Sequence, residues 1–172
     1  TVIVHDTTPP TITWSFTNLV LAADTNCSAV MPEVTGTNYI RATDLSEPLT
    51  IVQSPTNGTV LPEGTNAILI TVLDAYGNTA YSTNLVIVRD ETPPVITLNG
   101  TNPLYVELGR TFNEPGVVAS DGCSGIASLT TNGTVNIGAV STNELMYVAV
   151  DRSGNTNSIT RSVIVQDTTP PT

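Results

Sequence analysis

The feature that most constrains this chain is a short motif met three times. Asp6-Thr7-Thr8-Pro9-Pro10, Asp90-Glu91-Thr92-Pro93-Pro94 and Asp167-Thr168-Thr169-Pro170-Pro171 start 84 and then 77 residues apart. Each follows an apolar run: Val2-Ile3-Val4-His5, Val86-Ile87-Val88-Arg89 and Val163-Ile164-Val165-Gln166. Self-similarity at a period of this size signals an array of like domains. The apolar run reads as a final strand, and the proline pair ends it because proline cannot donate to a ladder. Two prolines also hold a short connector extended and semi-rigid. The motif is therefore a domain joint. The expected division is residues 1–5 as the last strand of a preceding repeat, 6–89 and 90–166 as two domains, and 167–172 as the start of another repeat.

Two units of about 80 residues suit small single-core domains. Thirty of the 172 residues are threonine, which favours strands over helices. In the first domain the sequence predicts strands over 11–16, 18–22, 29–31, 39–43, 49–53, 67–73 and 80–88. Turns are predicted at 25–28, 55–58 and 61–64. The second domain repeats the plan, with strands over 95–98, 104–106, 116–120, 126–129, 134–137, 144–150 and 158–165. Asp74-Ala75-Tyr76-Gly77-Asn78 and Asp151-Arg152-Ser153-Gly154-Asn155 mark the same tight hairpin in each, with Gly where positive φ is needed. Seven or so short strands per unit with turns every 8–12 residues indicate a β-sandwich. The expected class is all-β, two tandem sandwiches joined by short Pro-Pro linkers.

Charge narrows the partners. The net charge is −10, with five Arg and no Lys, which argues against nucleic acid and anionic membranes. No apolar run is long enough for a membrane span. The missing Lys also removes the amine that a Lys–Asn isopeptide bond would need.

The ordered motifs resemble a known pattern. Asp6-x-x-Pro9-Pro10, Asp44-Leu45-Ser46, Pro62-Glu63-Gly64 and Asp74-x-x-Gly77-Asn78 resemble the hyalin repeat (HYR) domain. Asp90-x-x-Pro93-Pro94, Phe112-x-x-Pro115-Gly116, Ala119-Ser120-Asp121 and Asp151-x-x-Gly154-Asn155 are similar to the bacterial surface Ig-like domain. The resemblance implies an Ig- or fibronectin-III-like sandwich in a long extracellular or cell-surface protein, usually bacterial. It implies adhesion or surface architecture and no catalytic centre. Hyalin repeats often carry several cysteines; here the first domain has Cys27, with Trp14, Ser46 and Tyr81 where others would stand.

Catalytic chemistry has little to work with. His5 is the one histidine and lies in a joint, Gly-x-Ser-x-Gly is absent, and no His/Cys cluster has zinc spacing. No cofactor is required. Calcium is the sharper candidate, because in this topology the second–third-strand loop and the last hairpin return to the end at which the chain enters. That gathers Asp90, Glu91, Asp121, Asp151 and Asn155 for the second domain, and Asp6, Asp44, Asp74 and Asn78 for the first. Hard cations want six to eight oxygens. The simpler account has the same Asp residues capping their own turns, and the sequence favours it.

Cys27 and Cys123 are each expected near the central joint, where an interdomain bridge would form if their Cα atoms fall within about 7 Å. Inert buried thiols and bonds to neighbouring chains are the alternatives. Asn26, Asn57, Asn99 and Asn132 head Asn-x-Ser/Thr sequons, which act as glycan acceptors where the cell has the machinery and otherwise read as turns. Tyr76 is the aromatic expected outside; Trp14, Phe16, Tyr105, Phe112 and Tyr147 are expected in core or joint packing. The expected role is a stiff spacer or filament-building module, with like domains head to tail, including a homopolymer, as partners. An adhesin module gripping a glycan or surface protein, or an accessory domain of a secreted hydrolase, is the alternative.

Overall fold

β-Branched residues dominate the apolar runs, and the chain answers with ladders. The computed structural model describes residues 1–171, and every regular element among them is a strand. The chain divides into two units, with the boundary after Asp90.

The first unit comprises β1 (Thr11–Ser15), β2 (Asn18–Ala22), β3 (Ser28–Val30), β4 (Ile40–Thr43), β5 (Thr50–Ser54), β6 (Val60–Pro62), β7 (Gly64–Leu73) and β8 (Thr79–Arg89). A four-stranded sheet runs β2-β8-β7-β5, and the pairs β1-β4 and β3-β6 form separate ladders. Residues 12–15 pair antiparallel with β4, and the chain then steps across to run parallel to β8, with Asn18 opposite Leu85. Along β7 the alternation is strict: Ile68, Ile70 and Val72 are fully buried while Leu69 faces solvent. Val86 and Val88 of β8 complete the inward row, and Phe16, Met31, Val34, Ile40 and Leu61 pack against it. Each such side chain contributes about 1.5–3 kcal/mol of transfer free energy.

The second unit comprises β9 (Val95–Leu98), β10 (Leu104–Glu107), β11 (Val117–Ser120), β12 (Ile126–Asn132), β13 (Ser141–Asp151) and β14 (Thr156–Gln166). Its four-stranded sheet is β10-β14-β13-β12, with β11-β9 as a separate ladder. The parallel step recurs: Leu104 of β10 lies opposite Val163 of β14. Val163 and Val165 are fully buried. They match Val86 and Val88, so the two apolar runs before the second and third joints occupy the same place in their sheets. In the first run, Val2, Ile3 and Val4 stand exposed and residues 1–10 carry no strand.

Four expectations change. Residues 61–64 are not a turn: Leu61 is buried and pairs with Ala29 in the β3–β6 ladder. Residues 134–137 are not a strand, because their backbone is used elsewhere: Asn136 N–H donates to Asn143 Oδ1, and the Ile137 carbonyl accepts from Gly109. Trp14 and Tyr105 are not core residues. Trp14 lies on the outer face of a two-stranded ladder with the Arg41 guanidinium 5.7 Å from its ring, and Tyr105 is exposed on edge strand β10. Phe16 and Tyr147 are buried as expected, and Tyr76 is exposed.

Candidate functional site at the joints

The Asp-x-Thr part of the joint is a local lock. Asp6 Oδ1 accepts hydrogen bonds from the Thr8 N–H (2.9 Å) and hydroxyl (2.6 Å), and Asp167 Oδ1 accepts from the Thr169 N–H (3.1 Å). A carboxylate bonding the backbone two residues on is the Asx turn, and it sets the chain direction just before the prolines.

In the first unit this lock is tied to two loops. The Ser46 hydroxyl donates to Asp6 Oδ2, while Ser46 N–H donates to Asp44 Oδ1 at 2.8 Å. Asp74, at the end of β7, accepts from the Tyr76 and Asn78 N–H groups, both at 2.8 Å, and from Asn78 Nδ2 at 2.7 Å. Asn78 Nδ2 also donates to the Asp6 carbonyl at 3.1 Å, and Ala75 N–H to the Ser46 carbonyl at 3.2 Å. The joint, the loop after β4 and the β7–β8 hairpin are thus one network. The His5 ring packs tilted against Tyr76, with centroids 5.1 Å apart and planes at 54°, which gives the single histidine a packing partner.

Asp6, Asp44 and Asp74 each bring a carboxylate oxygen within 4.8 Å of the others. Like charges this close should resist ionisation. The donors prevail instead. The Ser46 hydroxyl first, then Thr8, hold the Asp6 carboxyl down to a pKa of about 2. Burial pushes Asp74 up, but hydrogen bonds from Asn78 and Tyr76 outweigh it and leave the group below its ordinary value, with the Asp6 charge opposing. These oxygens accept from N–H and O–H donors, as turn-capping carboxylates do. The donor set serves as a turn lock, and a calcium ion held there would draw its six to eight oxygens from these carboxylates together with further ligands.

The second unit repeats the wiring. Asp121 Oδ1 accepts from the Cys123 and Gly125 N–H groups, both at 3.0 Å. Asp151 accepts from the Asn155 N–H and Nδ2, both at 2.8 Å, and Arg152 N–H donates to the Gly125 carbonyl at 3.0 Å. Asn157 Nδ2 reaches the Pro94 carbonyl at 2.8 Å. Asp90 is buried at the end of the first unit, and Glu91 is exposed at the start of the second.

Two participants escaped sequence reasoning. Glu107, at the end of β10, accepts from the Thr168 N–H and hydroxyl, both at 2.8 Å, and from the Thr169 hydroxyl at 3.0 Å. These bonds lower its pKa. Arg161 lies fully buried on β14, with Nε 2.9 Å from Glu114 Oε1 and its other nitrogens on the carbonyls of Thr101, Asn99 and Gly116. The available signal for Arg161 was its place in the inward alternation with Ile159, Val163 and Val165.

Neither cysteine is a free thiol. Cys27 adopts a positive φ of 58° in the turn after Asp24, and Cys123 sits in the Asp121 loop. The four sequon asparagines are exposed. Three precede glycines at positive φ (Gly58, Gly100 and Gly133), and Asn99 Nδ2 is engaged with the Pro115 carbonyl, so turn geometry accounts for those sequences.

Residues 96–165 match the family described as bacterial surface protein, Ig-like domain. The match lies within the second unit. Across 99% of its length the chain is 35% identical to hyalin of Lytechinus variegatus and 36% identical to hyalin of Strongylocentrotus purpuratus. It spans 34% and 15% of those two proteins, a part of each rather than the whole. Among solved structures it is similar to the fibronectin(III)-like modules of Clostridium thermocellum CbhA, at 14% identity over 92% of this chain and 94% of that one, with a TM-score of 0.40. The hyalin-repeat and surface Ig-like motifs in the sequence are thus matched by relatives of both kinds. The chain is an all-β, extracellular repeat-type module.

Proposed function

We propose that the chain is a structural repeat unit of a long surface protein, a stiff spacer or filament-building module without catalysis. One observation carries the reading: the first joint is hydrogen-bonded into the unit it leads into, through Asp6 to Ser46 and Asn78. A linker fixed by its own domain's side chains, and stiffened by Pro-Pro, transmits direction from one unit to the next. Recurrence of the motif at three places supports head-to-tail arrangement with like domains, and heterologous contacts of that kind build open fibres. A Cys27–Cys123 bridge belongs to the same proposal and would limit bending further; a non-reducing peptide map tests it directly. A bacterial source fits the match of the second unit.

Electron microscopy of chains of two, four and six units tests the reading. Straight rods that lengthen by a constant increment per unit are expected. Strings of beads with random turns at each joint would overturn it. The adhesin alternative draws on Tyr76, exposed at the hairpin tip, and glycan-array binding lost in Tyr76→Ala would favour it.

A further inference from the structure

Each four-stranded sheet has two edges, and three of these four edges are blunted. β5 is flanked by Pro48 and Pro55, β10 follows Pro103 and contains Glu107, and β2 has five residues with Asp24 close behind. Proline, charge and shortness are the usual defences of a strand edge. β12 has none of them. It runs seven residues, Ile-Ala-Ser-Leu-Thr-Thr-Asn, and all but Ile126 are exposed. No charged residue occurs between Asp121 and Glu144 in sequence. A register shift marks its first residues, after which Ser128 to Asn132 pair regularly with β13.

We propose that β12 is an interaction edge, and that its partner is β12 of a second copy, paired antiparallel about a two-fold axis near Leu129. Charge at the two ends of the strand selects this partner. Arg152 is exposed beside the start of β12, with Nη1 3.4 Å from the Ser124 carbonyl. Glu144 is exposed beside its end, where its carbonyl abuts Gly133. Antiparallel pairing brings the start of one copy to the end of the other, so each Arg152 meets the second copy's glutamate end. Asp121 and Asp151 lie at the same end, bonded to the N–H groups of their own turns and less exposed than Arg152, and β12 itself carries no charge to add to the repulsion of a chain of net charge −10. Backbone ladder bonds would supply affinity, as in strand addition generally. The result is lateral pairing of chains, distinct from head-to-tail extension, and it depends on the second unit alone.

Sedimentation equilibrium of the two-unit chain tests this over a wide concentration range. The expected result is a reversible rise in mass from 18.0 kDa toward twice that value. Thr130→Lys should abolish the rise, because a two-fold pair sets like charges near one another at the strand centre. Val52→Lys on the blunted β5 edge should leave it intact. Glu144→Arg should weaken pairing and the double variant Glu144→Arg with Arg152→Glu should restore it. Circular dichroism and melting confirm that each variant is folded, and slowed amide exchange along β12 at high concentration reports pairing in the unmodified chain. Mass fixed at the monomer value, or a dimer indifferent to Thr130→Lys, would overturn the proposal. Failure of the double variant to restore pairing would overturn the antiparallel register, and rod formation in longer arrays would stand either way.

Discussion

The two units share one hairpin and fill it differently. Counting back from Asp74 and Asp151, Ile70 in the first unit corresponds to Tyr147 in the second; counting back from Val86 and Val163, Asn84 corresponds to Arg161. In the first unit the site is apolar apart from Asn84, whose amide donates to the Phe16 carbonyl and to Ser15 Oγ. In the second, a buried guanidinium ties together three backbone carbonyls and Glu114, with the Tyr147 ring packed inside. The first unit has a broad apolar cluster around β7 and β8, whereas the second has Leu145, Tyr147 and Val163 with partly buried neighbours. One framework thus tolerates two solutions to loop anchoring. A small amide does it where apolar side chains already fill the interior, and an arginine does it where they do not.

The comparison can be broken most forcefully at Arg161. Arg161→Ala takes the guanidinium from the Thr101 and Asn99 carbonyls and from Glu114, while the Gly116 carbonyl keeps the Asn99 N–H; it should cost about 3–5 kcal/mol in the second unit's unfolding transition while leaving the first unit's unchanged. Ile70→Ala should cost the first unit about 2–5 kcal/mol in a denaturant titration. At the matching position Tyr147→Phe should change the second unit by less than about 1 kcal/mol, because the buried hydroxyl makes no well-formed hydrogen bond. Asn84→Ala should cost less than Arg161→Ala, about 1–3 kcal/mol, because the amide is a lighter version of the same anchor.

Acid sharpens the comparison at the first joint. Asp6 titrates at about 2 rather than 3.8. Because its folded pKa is depressed, the stability it confers is complete above the unfolded value and is lost as pH falls through the folded one. Carboxyl NMR shifts should place the midpoint near 2, and Ser46→Ala should move it up toward 3.8. The smallest expected effect is that of calcium: with the carboxylates bonded to turn donors, added calcium should leave both melting transitions in place. An upward shift abolished by Asp44→Asn would reassign the cluster as a cation site.

Much of this was legible in the residues. The joints, both Asp-x-x-Gly-Asn hairpins and the long alternating strands follow from proline chemistry, turn preferences and period-two burial, all of which act within a few residues. The Asx lock was legible too, since Asp and Thr two residues apart need no distant partner. Trp14 and Tyr105 were misplaced because alternation tells which residues share a face, not whether another layer covers that face. Residues 134–137 looked like a strand because their composition suits one, but a strand exists only where a ladder partner is free.

What the sequence determined by itself was the local grammar: where strands stop, where the chain turns, and that the pattern repeats. What only the tertiary structure decided was which polar groups meet. Ser46 reaches Asp6 across 40 residues, Glu107 reaches Thr168 across 61, and Arg161 finds Asn99 and Thr101 across 62 and 60. Those meetings are set by sheet order and by the parallel step of β2 and β10 onto the last strands. Local preferences carry no record of such distances, because the energy that rewards them appears only once the layers have closed.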